Sequence, residues 1–268
     1  MQALKIDGSF GEGGGQILRT SLTLSAVTNT PFEIFNIRAK RKPPGLRPQH
    51  LQAVTALAKI CGAEVDGTQV GSLSITFKPA KVTPGDYLFQ IGTAGSVSLV
   101  LQTLFLPLAL ADAPSRVDIH GGTHVPFSPC FHYLKLQWLT YLKALGLEAE
   151  LEMPKAGFYP RGGGEIIATI SPKKEIRPLI LEERGKLKIV RGISAVGNLP
   201  PSIALRQKEQ AERRLSQEGL TCHIELEDMP ATAKGTMLLL IGEFERSQCC
   251  YYGLWAIGKR SEAVADEA

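Results

Sequence analysis

The sequence predicts a protein of the α/β (α+β) class. Its larger part is one β-α-β-α-β-β unit written twice, and a smaller α/β unit follows. Three observations predict this. A glycine-rich stretch at residues 8–20, GSFGEGGGQILRT, lies between a short apolar run at residues 3–6 and a helical pattern at Ile17, Leu18, Leu22, Leu24 and Ala26. That is strand, turn, helix. An offset of 84 carries Gly8 onto Gly92, Arg19 onto Thr103, Leu22 onto Leu106, and Gly62-Ala63-Glu64 onto Gly146-Leu147-Glu148. Self-similarity at a fixed spacing marks a repeated unit. After Pro172 the texture changes: residues 173–184 are charged and irregular and contain Pro178, the mark of a crossing between units.

Taken in order, residues 1–79 read as strand, glycine turn, helix, strand, loop, helix, strand, strand, and residues 86–172 repeat that order. Leu51, Val54, Leu57 and Ala58 give the second helix one apolar face. Its counterpart carries Leu134, Leu136, Trp138, Leu139, Leu142 and Leu145. That heavier pattern predicts a more buried helix with Trp138 in the core. Gly62 and Gly146 stop the two helices. Residues 97–111 read as a buried helix interrupted by Gln102 and Pro107, and GFYPRGGG at 157–164 is an insertion before the last strand, 165–170. In the smaller unit, strands are expected at 187–196, 221–226, 236–243 and 250–257. A helix is expected at 200–219, with Ser202 in its N-cap region and Gly219 as its stop. Residues 259–268 begin a helix that Ser261 can cap. Two turns at a chain end bury almost nothing and are marginal in water, so more chain is expected beyond them.

Composition excludes several classes. The chain has 268 residues, 44% hydrophobic and 21% charged, as in ordinary globular proteins. A net charge of +4 is too mild to diagnose a nucleic-acid binder, but Arg38, Lys40, Arg41, Lys42 and Arg47 form an acid-free cationic run. A solvated loop explains such a run equally well. No apolar run reaches the ~18 residues of a membrane span, so no membrane partner is expected. There is no signal-peptide pattern. Five scattered cysteines without a C-x-x-C pair point to a reduced, cytoplasmic protein without structural zinc.

The glycine stretch is neither of two familiar phosphate motifs. A P-loop needs Lys-Ser/Thr where Gln16-Ile17 stand, and the dinucleotide fingerprint breaks at Gln16. It remains either a tight turn or a cradle where backbone N–H groups and a helix N-terminus meet an anion. Glu12 can hold Mg²⁺ or Mn²⁺ beside phosphate oxygens, or simply favour the helix dipole. Gln16 faces the same turn, and Arg19 follows within one helical turn. Arg38 and Arg41 lie in a loop stiffened by Pro43-Pro44-Gly45, suited to bidentate phosphate contact. His50 reads as a general acid, a phosphate donor or a buried helix-start histidine. Gln102, on an otherwise apolar helix, reads as a buried amide that must find partners.

DGSFGEGGGQILR at 7–19 resembles the N-terminal signature of the RNA 3′-terminal phosphate cyclases. IRAKRKPPGLRPQHL (37–51), GTAGSVSLVLQT (92–103), GGTHVPFSP (121–129) and GFYPRGGGE (157–165) resemble that family's further blocks in the same order. The resemblance implies a large domain of tandem repeats (1–82 and 83–178), an inserted thioredoxin-like small domain (179–258) and the start of a third repeat (259–268). It implies ATP with Mg²⁺ or Mn²⁺, and RNA 3′-phosphate ends as partners. It assigns catalysis to Glu12, Arg19, Arg38, Arg41 and His50, metal binding to Glu12, and nucleotide contacts to Gln16, Gln49, Gln102, Pro129 and Tyr133. His132 stands where an acid is expected. In the family a histidine of the third repeat attacks ATP, AMP passes to the RNA 3′-phosphate, and the vicinal 2′-hydroxyl closes a 2′,3′-cyclic phosphate. None of His50, His120, His124, His132 and His223 matches that segment, so this chain is expected not to adenylylate itself. Two alternatives stand beside this: a non-catalytic relative that binds RNA or protein, and an enolpyruvyl transferase, which the two visible repeats disfavour.

Overall fold

Alternation fixes the first sheet. In β2 (Phe32–Phe35) Phe32 and Ile34 are buried while Phe35 faces out. One face of the sheet therefore meets the helices. The computed structural model describes residues 3–173 and 175–268. The first unit comprises β1 (Leu4–Asp7), α1 (Gln16–Thr28), β2, α2 (Pro48–Cys61), β3 (Glu64–Asp66) and β4 (Ile75–Lys78). Its sheet has the order β1-β2-β4-β3. β1 and β2 run parallel, as a helical crossover requires, and the remaining pairs are antiparallel.

The second unit comprises β5 (Asp86–Gln90), α3 (Val97–Ala109), β6 (Ser115–Gly121), α4 (Phe131–Tyr133), a π-helical segment (Leu134–Trp138), α5 (Leu139–Ala144), β7 (Ala149–Lys155) and β8 (Gly164–Ile170). Its order, β5-β6-β8-β7, repeats the first. The two units share one core, in which Leu22, Ile34, Leu57 and Ile60 join Val100, Leu104, Ile119 and Ile166.

Three expectations change here. The offset of 84 does not hold for the first helix of each unit. The caps are Gly15 and Ser96, so the glycine turn of the first unit is longer and Arg19 is not the structural counterpart of Thr103. Residues 134–145 are not the more buried helix. Trp138, Leu139 and Leu142 are only partly buried and α5 has no fully buried residue, whereas α2 buries seven, including Val54, Leu57 and Ile60. Gln102 is exposed, on the flank of α3 away from Leu101 and Leu104. Its amide needs no buried partner.

The third sheet has the order β10-β9-β11-β12. Its strands are β9 (Leu187–Gly197), β10 (Cys222–Met229), β11 (Gly235–Phe244) and β12 (Gln248–Leu254), with α6 (Pro201–Gln217) and α7 (Ser261–Glu267) packed against it. Pro200 and Arg260, rather than Ser202 and Ser261, occupy the helix caps. The terminal helix does not stay unburied. Val264 is fully buried with Ala211, Ile224 and Leu238. At Gly253 a Cβ would strike the Val264 carbonyl, so β12 and α7 touch backbone to backbone. The third sheet meets the second unit through Phe158, whose ring leaves no room for a side chain at Gly235. Two polar ties add to this: Ala156 N–H donates to Pro230 O (2.8 Å), and Tyr141 O–H donates to Gln248 O (2.7 Å).

Candidate functional site

The glycine turn is held from both ends. Asp7 Oδ1 accepts from Ser9 N (2.9 Å), Ser9 Oγ (2.8 Å) and Asn36 Nδ2 (3.2 Å). Gly11 and Gly13 take φ of +58° and +62°, which a side chain would strain. Gly15 caps α1 without any side-chain bond, and the first turn of α1 has no acid. Its leading N–H groups therefore remain available to an anion. The cationic loop after β2 folds over this turn. Lys40 Nζ donates to Gly11 O (3.1 Å), and Arg41 pairs with Glu12. Arg38 braces the loop itself: Nη1 donates to Pro43 O (3.0 Å) and Gly45 O (2.9 Å).

Arg19 and His50 meet at Gly15. A Cβ there would run into His50 Nε2 and stand 3.0 Å from Arg19 Nη1. His50 is 4% exposed, and its Nδ1 accepts from Arg47 N–H (3.2 Å). That bond assigns the proton to Nε2, on the side of Gly15. Burial, then the charges of Arg38, Arg19 and Arg47, lower its pKa to about 3. His50 is therefore a buried, neutral helix-start histidine offering one N–H donor, not a charged acid. Burial lowers the Arg19 pKa to about 10. Its Nη2 donates to Gln16 Oε1 (2.8 Å), while its buried Nε has no partner. Among the described residues no carboxylate pairs with Arg19, and the one acid of the turn, Glu12, is taken by Arg41. The site is thus a helix N-terminus flanked by Arg19, which no described carboxylate pairs, and by Arg41, which Glu12 holds.

Of the other expected residues, Gln102 shares a groove with Arg19, while Gln49, Pro129 and Tyr133 have other neighbours. Gln49 Oε1 accepts from Ser96 N–H (2.9 Å), so it closes the N-terminus of α3. Gln102 lines a groove of about 410 Å³ with Gln16, Arg19, Trp138 and Leu142. Tyr133 packs at the third sheet, its ring 5.9 Å from that of Tyr252, and Pro129 lies four residues before it. Sequence reasoning passed over Lys40 and Arg47 as site members, though both stand in the cationic run. It also missed a run of polar contacts, buried at its histidines, between the second unit and the third sheet. Thr123 Oγ1 lies 2.8 Å from His124 Nδ1, His124 Nε2 lies 3.0 Å from His132 Nδ1, and His132 Nε2 lies 3.1 Å from Glu227 Oε2. Burial, then His132, holds the His124 pKa well below the ordinary value, and the bond from His132 lowers that of Glu227. No described helix is long and apolar enough to cross a membrane.

A β-α-β-α-β-β unit written twice, with one helix N-terminus left open beside a partly buried arginine, defines a protein of the repeat-built α/β class. The family model described as RNA 3′-terminal phosphate cyclase matches residues 10–265, and the chain belongs to that family. Among similar proteins, the RNA 3′-terminal phosphate cyclase of Caldivirga maquilingensis is 44% identical over 98% of this chain and 75% of its own length. That of Ignicoccus hospitalis is 46% identical over 99% and 77%, and that of Methylococcus capsulatus 41% over 100% and 76%. The chain therefore spans about three-quarters of the length of these relatives.

Proposed function

We propose that this protein binds RNA 3′-phosphate ends at the N-terminus of α1 and serves their ATP-dependent conversion to 2′,3′-cyclic phosphates. Arg19, partly buried with its Nε closed off and no carboxylate partner, carries this reading. A cation partly withdrawn from water with only a neutral amide as partner is unfavourable until an anion arrives. Arg19 and the free N–H groups of α1 would hold phosphate oxygens, and the neutral His50 would donate from Nε2. Arg41 would exchange Glu12 for phosphate, and Arg38 would keep the loop in place. Glu12 fits Mg²⁺ or Mn²⁺, since such ions often use one carboxylate plus phosphates, and its side chain is 83% exposed. Such an ion would neutralise phosphate charge. The family resemblance supports a route through enzyme–AMP and RNA–adenylate, with AMP leaving as the 2′-oxygen attacks phosphorus. Gln16, Gln49, Gln102, Pro129 and Tyr133 are assigned to the nucleotide on that resemblance. We group residues 1–82, 83–178 and 179–268 as units, the last helix joining the third because Val264 is buried there. Five free cysteines fit a reducing cytoplasm.

A second reading is binding of nucleotide or RNA ends without turnover. It rests on the family's nucleophilic histidine lying in a segment that none of this sequence's five histidines matches, and His50 at the site does not stand in for it. The Nδ1 lone pair of His50 is occupied and its Nε2 carries hydrogen, so it offers no free nucleophilic nitrogen. One pair of assays tests both. Anisotropy with RNA ending in 3′-phosphate or 3′-hydroxyl should show preference for the phosphate, and equal affinity would refute the site. Formation of cyclic ends on ATP addition would favour turnover, and its absence with binding retained would favour the second reading.

A further inference from the structure

The outer face of the second sheet carries a ligand set that the phosphate site does not use. On β6, Val117 and Ile119 point into the core, so Asp118 and His120 share the opposite face. Antiparallel pairing places Glu165 of β8 directly beside His120. One donor atom from each of Asp118, His120 and Glu165 lies within 4.8 Å of the other two. His120 Nε2 and Asp118 Oδ1 stand 2.9 Å apart, yet neither atom makes a hydrogen bond and both are closed to solvent. With no hydrogen bond between them, two polar atoms this close and closed to solvent are left unsatisfied unless the imidazole is charged. A shared cation removes the conflict if the pair opens slightly, because tetrahedral ligands at ~2.1 Å from one ion lie about 3.4 Å from each other. Lys155 stands opposite Glu165 on β7, and among the described residues no ion pair engages that carboxylate.

We propose that Asp118, His120 and Glu165 bind one divalent first-row transition ion of the Zn²⁺ type. Two hard oxygens and one imidazole suit such ions, whereas imidazole disfavours Mg²⁺. The site is separate from Glu12, where oxygen donors alone would serve a phosphate-bound ion. Two neighbouring strands supply the ligands, so an ion there pins β6 to β8. Gly121 to Thr123 leave the end of β6 toward the buried His124, and the clamp steadies that path.

The test uses the full chain stripped by chelator and dialysed against Zn²⁺, with wild type beside His120→Ala and Glu165→Gln. Circular dichroism confirms that both variants fold. Wild type should take up one ion and melt at higher temperature with Zn²⁺ than without. Each variant should bind at least about tenfold more weakly and lose that rise. Cobalt in place of zinc should give d–d bands without a thiolate charge-transfer band. No uptake by wild type, undiminished binding by His120→Ala, or a thiolate band assigning the ion to cysteines would overturn the proposal. No readout depends on RNA or ATP, so the phosphate site can fail without this one failing.

Discussion

Replacing Arg19 by methionine separates the stability of the protein from its affinity for phosphate. Burial lowers the Arg19 pKa from 12.5 to about 10. A pKa unit is worth ~1.4 kcal/mol, so keeping the side chain charged in place costs roughly 3 kcal/mol at most. The unbonded Nε belongs to the same penalty, and the bond to Gln16 returns about 1 kcal/mol. Methionine has a similar reach, fills the same space with apolar atoms and needs no partner. In urea, without ligand, Arg19→Met should therefore be more stable by ~1–2 kcal/mol. The same change removes charge-assisted bonds worth ~1.5–3 kcal/mol to a phosphate. Affinity for 3′-phosphorylated RNA should fall about 10- to 100-fold, while affinity for the 3′-hydroxyl form should barely move. Anisotropy titrations and urea midpoints on the same preparations give both numbers. A less stable variant would refute the account of Arg19 as an uncompensated cation. Unchanged phosphate affinity would refute its role in binding.

Other perturbations have equally definite signs. His50 has a folded pKa of about 3 against 6.5 unfolded, so the unfolded chain takes up the proton first as pH falls. Its contribution is whole above pH 6.5 and is lost toward pH 3. His50→Gln should therefore shrink the stability difference between pH 7 and pH 4 by about 3 kcal/mol, read from urea midpoints at both values. Gly15→Ala drives a methyl into His50 Nε2. It should destabilise by ~1–3 kcal/mol and weaken phosphate binding at least about tenfold by anisotropy. Val264→Ala hollows the small core beneath α7 and should lower urea stability by about 2 kcal/mol. No loss there would mean that the terminal helix is not seated.

Much of the fold was legible because it rests on local rules. Glycines at 11 and 13 mark positive φ, Gly62 ends α2 in a left-handed cap, and alternation in Phe32 to Phe35 marks a half-buried strand. The helix at 134–145 was misjudged because apolar content states what a face would bury, not whether anything covers it. The three-residue slip between α1 and α3 arose because a helix begins where the backbone leaves its turn, and the first turn is longer. In the site, the cationic run and the glycine turn were visible, but their roles were not. Whether Arg38 faces an anion or its own loop carbonyls depends on a φ of +51° that no residue type announces. The chain from Thr123 through His124 and His132 to Glu227 joins residues up to 95 positions apart, and only the packing of the third sheet brings them together.

The amide of Gln49 on Ser96 has a counting consequence. Duplication supplied two strand–turn–helix corners, and a symmetric molecule would capture two phosphates. Here the first copy reaches across and corks the second with its own side chain, while keeping its own corner open and charged. Under the proposed function, the duplicated architecture would therefore take one RNA end at these two corners, not two. Removing the cork would not by itself open a second receptor, because Val97 N–H already donates to Gly122 O and Leu99 N–H to Ser96 Oγ.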